Sequence, residues 1–177
     1  MRALYFIVDS LVFLYQVVLL LRLLMQLTRA DFRNPVARAI VQLTDPLVRP
    51  LRRLLPPLRG VDSASVVAIL LVSLLKIWVL QLLLGNALPG IATLLHGVLF
   101  DSIDLVLRTY LYSMILNAIL SLVAQGNYSP VQSILASICN PVLNPIRKYI
   151  PSIAGLDLSP LWACIAIQAL LIFLRLR

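Results

Sequence analysis

The chain consists of long apolar runs joined by shorter stretches rich in proline and arginine. Hydrophobic residues make up 61% of its 177 residues and charged residues only 12%, whereas a typical water-soluble domain has about 25% charged residues. A soluble core of this size could not bury so much apolar surface, because a small domain leaves a large share of its area exposed. The composition therefore predicts an all-α protein whose helices lie in a lipid bilayer.

Four of the apolar runs are long enough to cross a bilayer as helices, which takes about 20 residues. The predicted spans cover about 5–27, 65–84, 98–124 and 160–174. Gly85-Asn86 is a helix-stop signal after the second span, and Ser159-Pro160 is a helix start for the fourth. The segment 88–97 is either an interfacial or re-entrant piece or an early start to the third span.

An internal repeat runs through the chain at an offset of 95 residues. The stretch 45–56 aligns with 140–151 without a gap, and further matches lie on both sides. The first copy of the motif contains Asp45, Pro46, Pro50, Pro56, Gly60 and Asp62, and the second contains Pro141, Pro145, Pro151, Gly155 and Asp157. So many coincidences at one offset indicate a duplication.

Each copy is predicted to be a span, a proline-rich loop and a second span, with repeats at 1–85 and 98–177 and a connection at 86–97. Because each copy has an even number of spans, both copies enter the membrane from the same side. The two halves are then related by an axis along the membrane normal, and the inverted repeat of many transporters is absent.

The basic residues predict the orientation. The loop between the first two spans holds seven arginines and the loop between the last two holds Arg147 and Lys148, whereas the termini hold Arg2, Arg175 and Arg177. By the positive-inside rule, both proline-rich loops face the cytoplasm and both termini face the periplasm. We therefore expect a multi-pass protein of a bacterial inner membrane.

The proline-rich loops are predicted to lie in the headgroup layer. Asp45-Pro46 indicates a helix start, and Pro50 and Pro56 limit this helical segment to one or two turns with an apolar and a cationic side. Basic residues near an anionic surface contribute about 1 kcal/mol each. We favour a topology anchor; the alternative is a docking surface for a protein or a specific lipid. The basic residues of this motif are Arg49, Arg52, Arg53, Arg59, Arg147 and Lys148.

Ionisable residues inside the predicted spans are costly and are therefore candidate functional residues. Arg22 lies near the inner end of its span, where it can snorkel to the interface. Asp104 and Arg108 are four residues apart and can pair on one helix face. Lys76, near the middle of its span, is expected to reach Asp9 or Asp104. We favour a structural ion pair over an ion-conducting or proton-relay site.

The sequence matches none of the motif patterns that define catalytic sites, metal sites or phosphate-binding loops. His96 has no second ligand at a suitable spacing. The sequence therefore predicts a protein that is not an enzyme and has no cofactor and no metal. Its expected partners are anionic lipids and a membrane protein or a second copy of the chain, rather than nucleic acid.

The motifs resemble those of the YggT family over the whole chain. The resemblance rests on Asp31-Phe32, Asn34-Pro35, Pro50-Leu51-Arg52-Arg53, Val61-Asp62-Ser63-Ala64-Ser65, Asn140-Pro141, Pro145-Ile146-Arg147-Lys148 and Leu156-Asp157-Leu158-Ser159-Pro160. The form with two repeats, found in proteobacteria, is the most similar. Asn140 departs from the usual Asp-Pro of the motif, so a carboxylate is not required at that position.

The resemblance implies roles that the residues alone do not. Bacterial members are associated with tolerance of osmotic or ionic stress and, in Gram-positive relatives, with division-gene clusters. Plastid relatives are associated with haem attachment to a cytochrome. We therefore predict an accessory or scaffold protein of osmotic and envelope homeostasis. The alternatives are a small oligomeric ion channel or transporter and, with less support, a cofactor-maturation or division factor.

Overall fold

A computed structural model describes residues 2–56, 60–87, 89–123, 129–149 and 157–175. Over these residues the chain forms six α-helices. They are α1 (Arg2–Leu27), α2 (Pro35–Leu54), α3 (Ser63–Leu83), α4 (Ile91–Val123), α5 (Pro130–Tyr149) and α6 (Ser159–Arg175). The predicted all-α fold is confirmed.

Three helices are long and apolar enough to cross a membrane, over Ala3–Leu27, Ser63–Leu83 and Ile91–Ser121. On α1, Phe6 and Leu11 expose 69% and 62% of their area, as expected of side chains that contact lipid. The fourth predicted span corresponds to α6, which has 17 residues. Its length is about 25 Å, slightly less than a hydrocarbon core of about 30 Å. Three helices therefore have the length and apolarity that a membrane span requires, and the fourth span stays a prediction.

The third span begins earlier than its predicted start at residue 98. Helix α4 starts at Ile91 and continues for 33 residues. From residue 91 onward, the segment 88–97 is therefore an early start to the third span, and the re-entrant alternative is wrong there. Gly97 lies where α4 approaches α3, because a Cβ at this position would be 3.2 Å from Cδ1 of Ile77.

The proline-rich segments form longer helices than predicted. Helix α2 continues through Pro46 and Pro50, and α5 continues through Pro141 and Pro145; each has 20 residues. The predicted helix start at Asp45-Pro46 and the limit of one or two turns are therefore wrong. All four prolines lie on exposed sides of their helices, so the carbonyl groups that lose a donor can be hydrated or can meet headgroups.

Each of these helices is held by one buried face. The buried positions of α2 include Ala37, Ile40, Thr44 and Val48, spaced by three or four residues as on one side of a helix. In α5, Leu135, Cys139 and Leu143 are buried at the equivalent positions. Burial of this face compensates for the backbone hydrogen bonds that the prolines remove.

The ends of α1 and α3 share one geometry. After α3, the amide of Asn86 donates to the carbonyl of Gln81 at 3.1 Å, and Gly85 has a φ of +68°. The predicted stop at Gly85-Asn86 is confirmed as a Schellman motif. After α1 the same left-handed position is filled by Arg29, with a φ of +54°, where glycine is usually found.

The chain forms two compact units. The first contains Met1–Leu23 and Ile40–Val106, and the second contains Leu24–Ala39 and Leu107–Arg177. Helices α1, α2 and α4 contribute residues to both units. In the second unit the core consists of Met114, Cys139, Leu143, Ala163, Ile167 and Leu171.

Candidate functional site

The first unit contains a polar centre between α1, α3 and α4. The Lys76 ammonium donates a hydrogen bond to Oδ1 of Asp101 at 2.8 Å and lies 3.3 Å from Oδ1 of Asp9. The Lys76 side chain is only 11% exposed. An ionised side chain in hydrocarbon is costly unless it is paired, so the two carboxylates explain how α3 accommodates a lysine. Of the two partners predicted for Lys76, Asp9 and Asp104, the contact with Asp9 is confirmed.

Gln16 of α1 completes this centre. Its Nε2 group donates to Oγ of Ser73 at 2.7 Å and to Oδ2 of Asp101 at 2.9 Å. Gln16 and Ser73 are both fully buried. Oε1 of Gln16 has no hydrogen-bond partner among the described residues. We call Asp9, Gln16, Ser73, Lys76 and Asp101 the Lys76 centre.

Sequence reasoning did not place Asp101 in this site. Asp101 lies 25 residues from Lys76 and 85 from Gln16, and the predicted third span gave no reason to turn it toward α3. A carboxylate within an apolar helix was the available signal, because such a residue needs a partner in the membrane.

Arg108 lies in the second unit. It lines a cavity of about 140 Å³ with Leu111, Tyr112, Gln168, Leu171 and Ile172. Leu171 occupies the position equivalent to Lys76, so the cavity has no counterpart of the Lys76 ammonium. The predicted pairing of Asp104 with Arg108 stays a prediction.

Arg22 forms a second buried charge network. Its Nη1 lies 2.9 Å from Oδ1 of Asp45 and donates to Oγ1 of Thr44 at 2.7 Å. The Arg22 side chain is 5% exposed. The guanidinium is therefore bound by α2 within the protein, and the prediction that Arg22 snorkels to the interface stays a prediction. Asp45 also lies 3.4 Å from Nε of Arg49, one turn along α2.

One arginine–aspartate pair recurs in both repeats. Arg52 in α2 forms a salt bridge with Asp62, immediately before α3. Arg147 in α5 donates from Nε to Asp157 at 2.8 Å, shortly before α6. The four residues correspond at the repeat offset of 95. We call these pairs the first and second clamps, because each fastens an amphipathic helix to the start of the next helix.

The clamps differ in burial and in their other partners. The Asp62 side chain is 4% exposed and accepts a hydrogen bond from Ser65 at 2.7 Å, whereas the Asp157 side chain is 39% exposed. In the second clamp, Nη1 of Arg147 also donates to Asn140 and Asn144 at 3.1 and 3.2 Å. The first clamp is therefore the more buried of the two.

Both clamp carboxylates are stabilised in their ionised form. Burial raises the pKa of Asp62, but hydrogen bonds from Arg52 and Ser65 and the charge of Arg52 outweigh it, so the pKa is lowered. The hydrogen bond to Asp62 raises the pKa of Arg52. For Asp157, burial again opposes ionisation, and contacts with Ser159 and Arg147 lower the pKa overall.

Arg52 and Arg147 thus form the clamps, and a second set of exposed basic side chains lies elsewhere on α2. The Arg49 side chain is 79% exposed, and Arg53 and Arg38 are also exposed on α2. Positions 38, 49 and 53 fall within about one sixth of a turn on a helical projection, so the three arginines form one stripe. We call this stripe the basic face. Arg38 was not among the predicted residues, although helical spacing aligns it with the other two.

Two further residues of the first copy of the motif, Gly60 and Pro56, have a defined role in the local backbone structure. Gly60 has a φ of +86°, which favours glycine. Exposed Pro56 accepts a hydrogen bond from Ser63 at 2.7 Å. Lys148 is exposed at the end of α5. The predicted positions Arg59, Pro151 and Gly155 lie outside the described residues.

Cys139, in the core of the second unit, is not poised for thiolate chemistry. Burial raises its pKa to about 11, with a further increase from Cys164 that exceeds the opposite effect of Arg147. A thiol is nucleophilic only as the thiolate. The two cysteines are free thiols.

The helices define an all-helical protein in which three helices are long and apolar enough to cross a membrane. The family model described as CCB3/YggT matches residues 1–83 and 97–176, so the two stretches together cover almost the whole chain. The chain belongs to the CCB3/YggT family.

Several relatives are similar over nearly their full length. An uncharacterized protein of Pseudomonas aeruginosa is 39% identical over 92% of this chain and 83% of its own. The YggT protein of Escherichia coli is 37% identical over 91% of this chain and 83% of its own. A Vibrio alginolyticus protein encoded in the proC 3' region is 36% identical over 95% of this chain and 91% of its own. No solved structure matches the chain.

Proposed function

We propose that the protein is a non-enzymatic accessory protein of a bacterial inner membrane, in which the basic face of α2 binds anionic phospholipid headgroups. The single observation that supports this is the exposure of Arg38, Arg49 and Arg53 on one side of α2. Three cations on one face of a membrane-associated helix are a typical binding surface for anionic lipids.

The surroundings of the basic face support a position at the interface. On another side of α2, Leu43 and Leu54 are 61% and 78% exposed, a pattern that suits contact with acyl chains below the headgroups. The first clamp and the Arg22–Asp45 pair fasten α2 to α3 and α1. Because α2 is fixed in this way, its arginines are presented without ordering a flexible loop first.

The positive-inside rule favours the cytoplasmic leaflet for this face, since the loops contain most of the basic residues. Family membership motivates a contribution to osmotic and envelope homeostasis. A helix anchored on anionic lipid at one leaflet suits a scaffold that responds to the state of the membrane or supports another membrane protein.

The lipid proposal is tested by removing the basic face as a unit. The variant Arg38→Gln, Arg49→Gln, Arg53→Gln is compared with Arg2→Gln, Arg175→Gln, Arg177→Gln, which removes three arginines from the predicted periplasmic ends. Titration with phosphatidylglycerol in detergent, followed by native mass spectrometry, measures binding. At about 1 kcal/mol per basic residue, we expect the first variant to bind roughly a hundredfold more weakly.

Equal binding by the two triple variants would contradict the proposal. Growth after osmotic shock of a deletion strain complemented with each variant tests the physiological part. We expect the basic-face variant to complement poorly and the terminal variant to complement fully.

The second candidate is a small ion channel or transporter, with Lys76, Asp104 and Arg108 along the path. The Lys76 centre favours it, because paired charges inside a membrane often mark ion pathways. Ion flux through reconstituted protein, compared with Lys76→Leu, tests this candidate. Flux no higher than in empty liposomes would exclude it.

A further inference from the structure

The Lys76 centre contains more acidic than basic groups. One ammonium, from Lys76, is shared by two carboxylates, from Asp9 and Asp101. With all three groups ionised, the centre has a net charge of −1, and an unbalanced charge inside a membrane is unfavourable. We propose that the Lys76 centre binds a monovalent alkali cation, which balances this charge.

Gln16 provides an independent reason to place a cation here. Both hydrogen-bond donors of its amide group are used, toward Ser73 and Asp101, and its Oε1 is buried without a donor among the described residues. A buried acceptor without a partner destabilises the fold, because it has lost its hydrogen bonds to water. An alkali cation is coordinated by oxygen atoms, so it satisfies this acceptor and the excess carboxylate charge together.

The two carboxylates have different environments. Asp101 receives hydrogen bonds from Lys76 and Gln16, one on each oxygen. Asp9 has the longer contact with Lys76, 3.3 Å, and its side chain is 40% exposed. Asp9 therefore provides the less satisfied carboxylate and the open side of the site. Among the described residues, charged groups with contacts at the site come from three helices: Asp9 from α1, Lys76 from α3 and Asp101 from α4.

The charge favours a monovalent ion. A divalent ion would turn the net charge from −1 to +1 and leave an equal imbalance. The second repeat has no equivalent site, because Leu111 and Leu171 replace Gln16 and Lys76. One site per chain is therefore expected.

The test uses the purified full chain in detergent. The apparent unfolding temperature is measured in NaCl, KCl or N-methyl-D-glucamine chloride at equal ionic strength, which separates binding from screening. A ligand at a hundredfold excess over its dissociation constant is expected to raise the unfolding temperature by about 5–10 °C. We expect at least one of the two alkali ions to give such a rise.

Two variants assign the effect to the site. Asp9→Asn removes the excess charge and is expected to abolish the difference between alkali and organic cation. Gln16→Leu, which copies the residue of the second repeat, is expected to weaken alkali binding at least tenfold. It replaces Asp9→Asn as the test of the site if Asp9→Asn does not fold. Asp31→Asn, at an exposed position after α1, is the matched control and should keep the full rise.

Three results would overturn the proposal. The unfolding temperature could be the same in all three salts. It could rise on acidification with no alkali effect, in which case a proton balances the charge. Both site variants could keep the alkali-dependent rise of the control. The proposal stands apart from lipid binding by α2, because the basic-face variant retains every residue of the Lys76 centre.

Discussion

The two repeats have similar helices but different buried charges. Helices α2 and α5 correspond residue for residue at the offset of 95, and both repeats contain the clamp. In the first repeat Arg22 pairs with Asp45, whereas the equivalent positions in the second are Asn117 and Asn140. The second repeat therefore has a different residue at both positions of the Arg22–Asp45 pair. The comparison separates a shared scaffold, held by the clamps, from buried charges that belong to the first copy.

The exposed surfaces of α2 and α5 also differ in charge, and again the first repeat has more charged residues. The basic face of α2 has three arginines, and the equivalent positions in α5 are Ser133, Asn144 and Lys148. Ion binding and lipid binding are therefore both expected of the first repeat. The second repeat contributes an apolar core and the clamp that positions α5.

The largest difference between the repeats in the effect of a substitution on stability is expected at Lys76. The variant Lys76→Leu copies the second repeat but leaves Asp9 and Asp101 in the membrane without their cation. Breaking a buried ion pair typically costs about 3–5 kcal/mol, and we expect a loss of that size in SDS-induced unfolding. Leu171→Met, the matched control at the equivalent position, should cost less than about 1.5 kcal/mol. Similar losses in the two variants would remove the distinction between the repeats.

The Arg22–Asp45 pair is expected to give the next largest effect. Asp45→Asn leaves a buried guanidinium with its carboxylate lost, and we expect a cost of about 2–4 kcal/mol. The double variant Arg22→Asn, Asp45→Asn copies the second repeat at both positions and should recover at least half of that loss. A double-mutant cycle measures the coupling. Additive losses would show that the pair does not act as a unit.

The clamps should differ in strength and in sensitivity to acid. Asp62→Asn is expected to cost about 1–3 kcal/mol and Asp157→Asn less than about 1 kcal/mol, because only Asp62 is buried. Both carboxyl groups have lowered pKa values in the fold. Their stabilisation is therefore complete above the ordinary value of 3.8 and is lost as the pH falls through the folded pKa. Unfolding followed by tryptophan fluorescence between pH 7 and pH 3 measures this loss, which should be smaller in each variant.

The smallest expected effect concerns the ends of α1 and α3. Arg29 and Gly85 occupy the same left-handed position, which costs a non-glycine residue about 1–2 kcal/mol. Allowing for the greater chain entropy of unfolded glycine, Arg29→Gly should stabilise the protein by about 0.5–1 kcal/mol. Gly85→Arg is the control variant and should destabilise the protein. The unfolding midpoints of both variants are compared with that of the unmodified chain. A destabilised Arg29→Gly variant would show that the arginine side chain has a role of its own.

The apolar runs and the duplication could be recognised without coordinates. A run such as 5–27 has no soluble alternative, and the motif with Pro50 and Pro145 recurs at one offset. The sequence predicted a carboxylate partner for Lys76, because a lysine inside an apolar helix needs one at a similar depth, but it left Asp9 and Asp104 open. Helix propensity gave the wrong length for α2, since the burial of Thr44 and Val48 outweighs the cost of two exposed prolines.

The sequence alone determined that the chain is a duplicated protein with long apolar helices, because hydrophobicity and repetition are properties of the chain itself. Only the tertiary structure decided which charges meet. Arg22 turns to α2, and Asp101 joins Lys76 and Gln16 across 25 and 85 residues of chain. Long polar side chains have several partners within reach, and the packing of the helices determines which of them is close enough to satisfy a charge away from water.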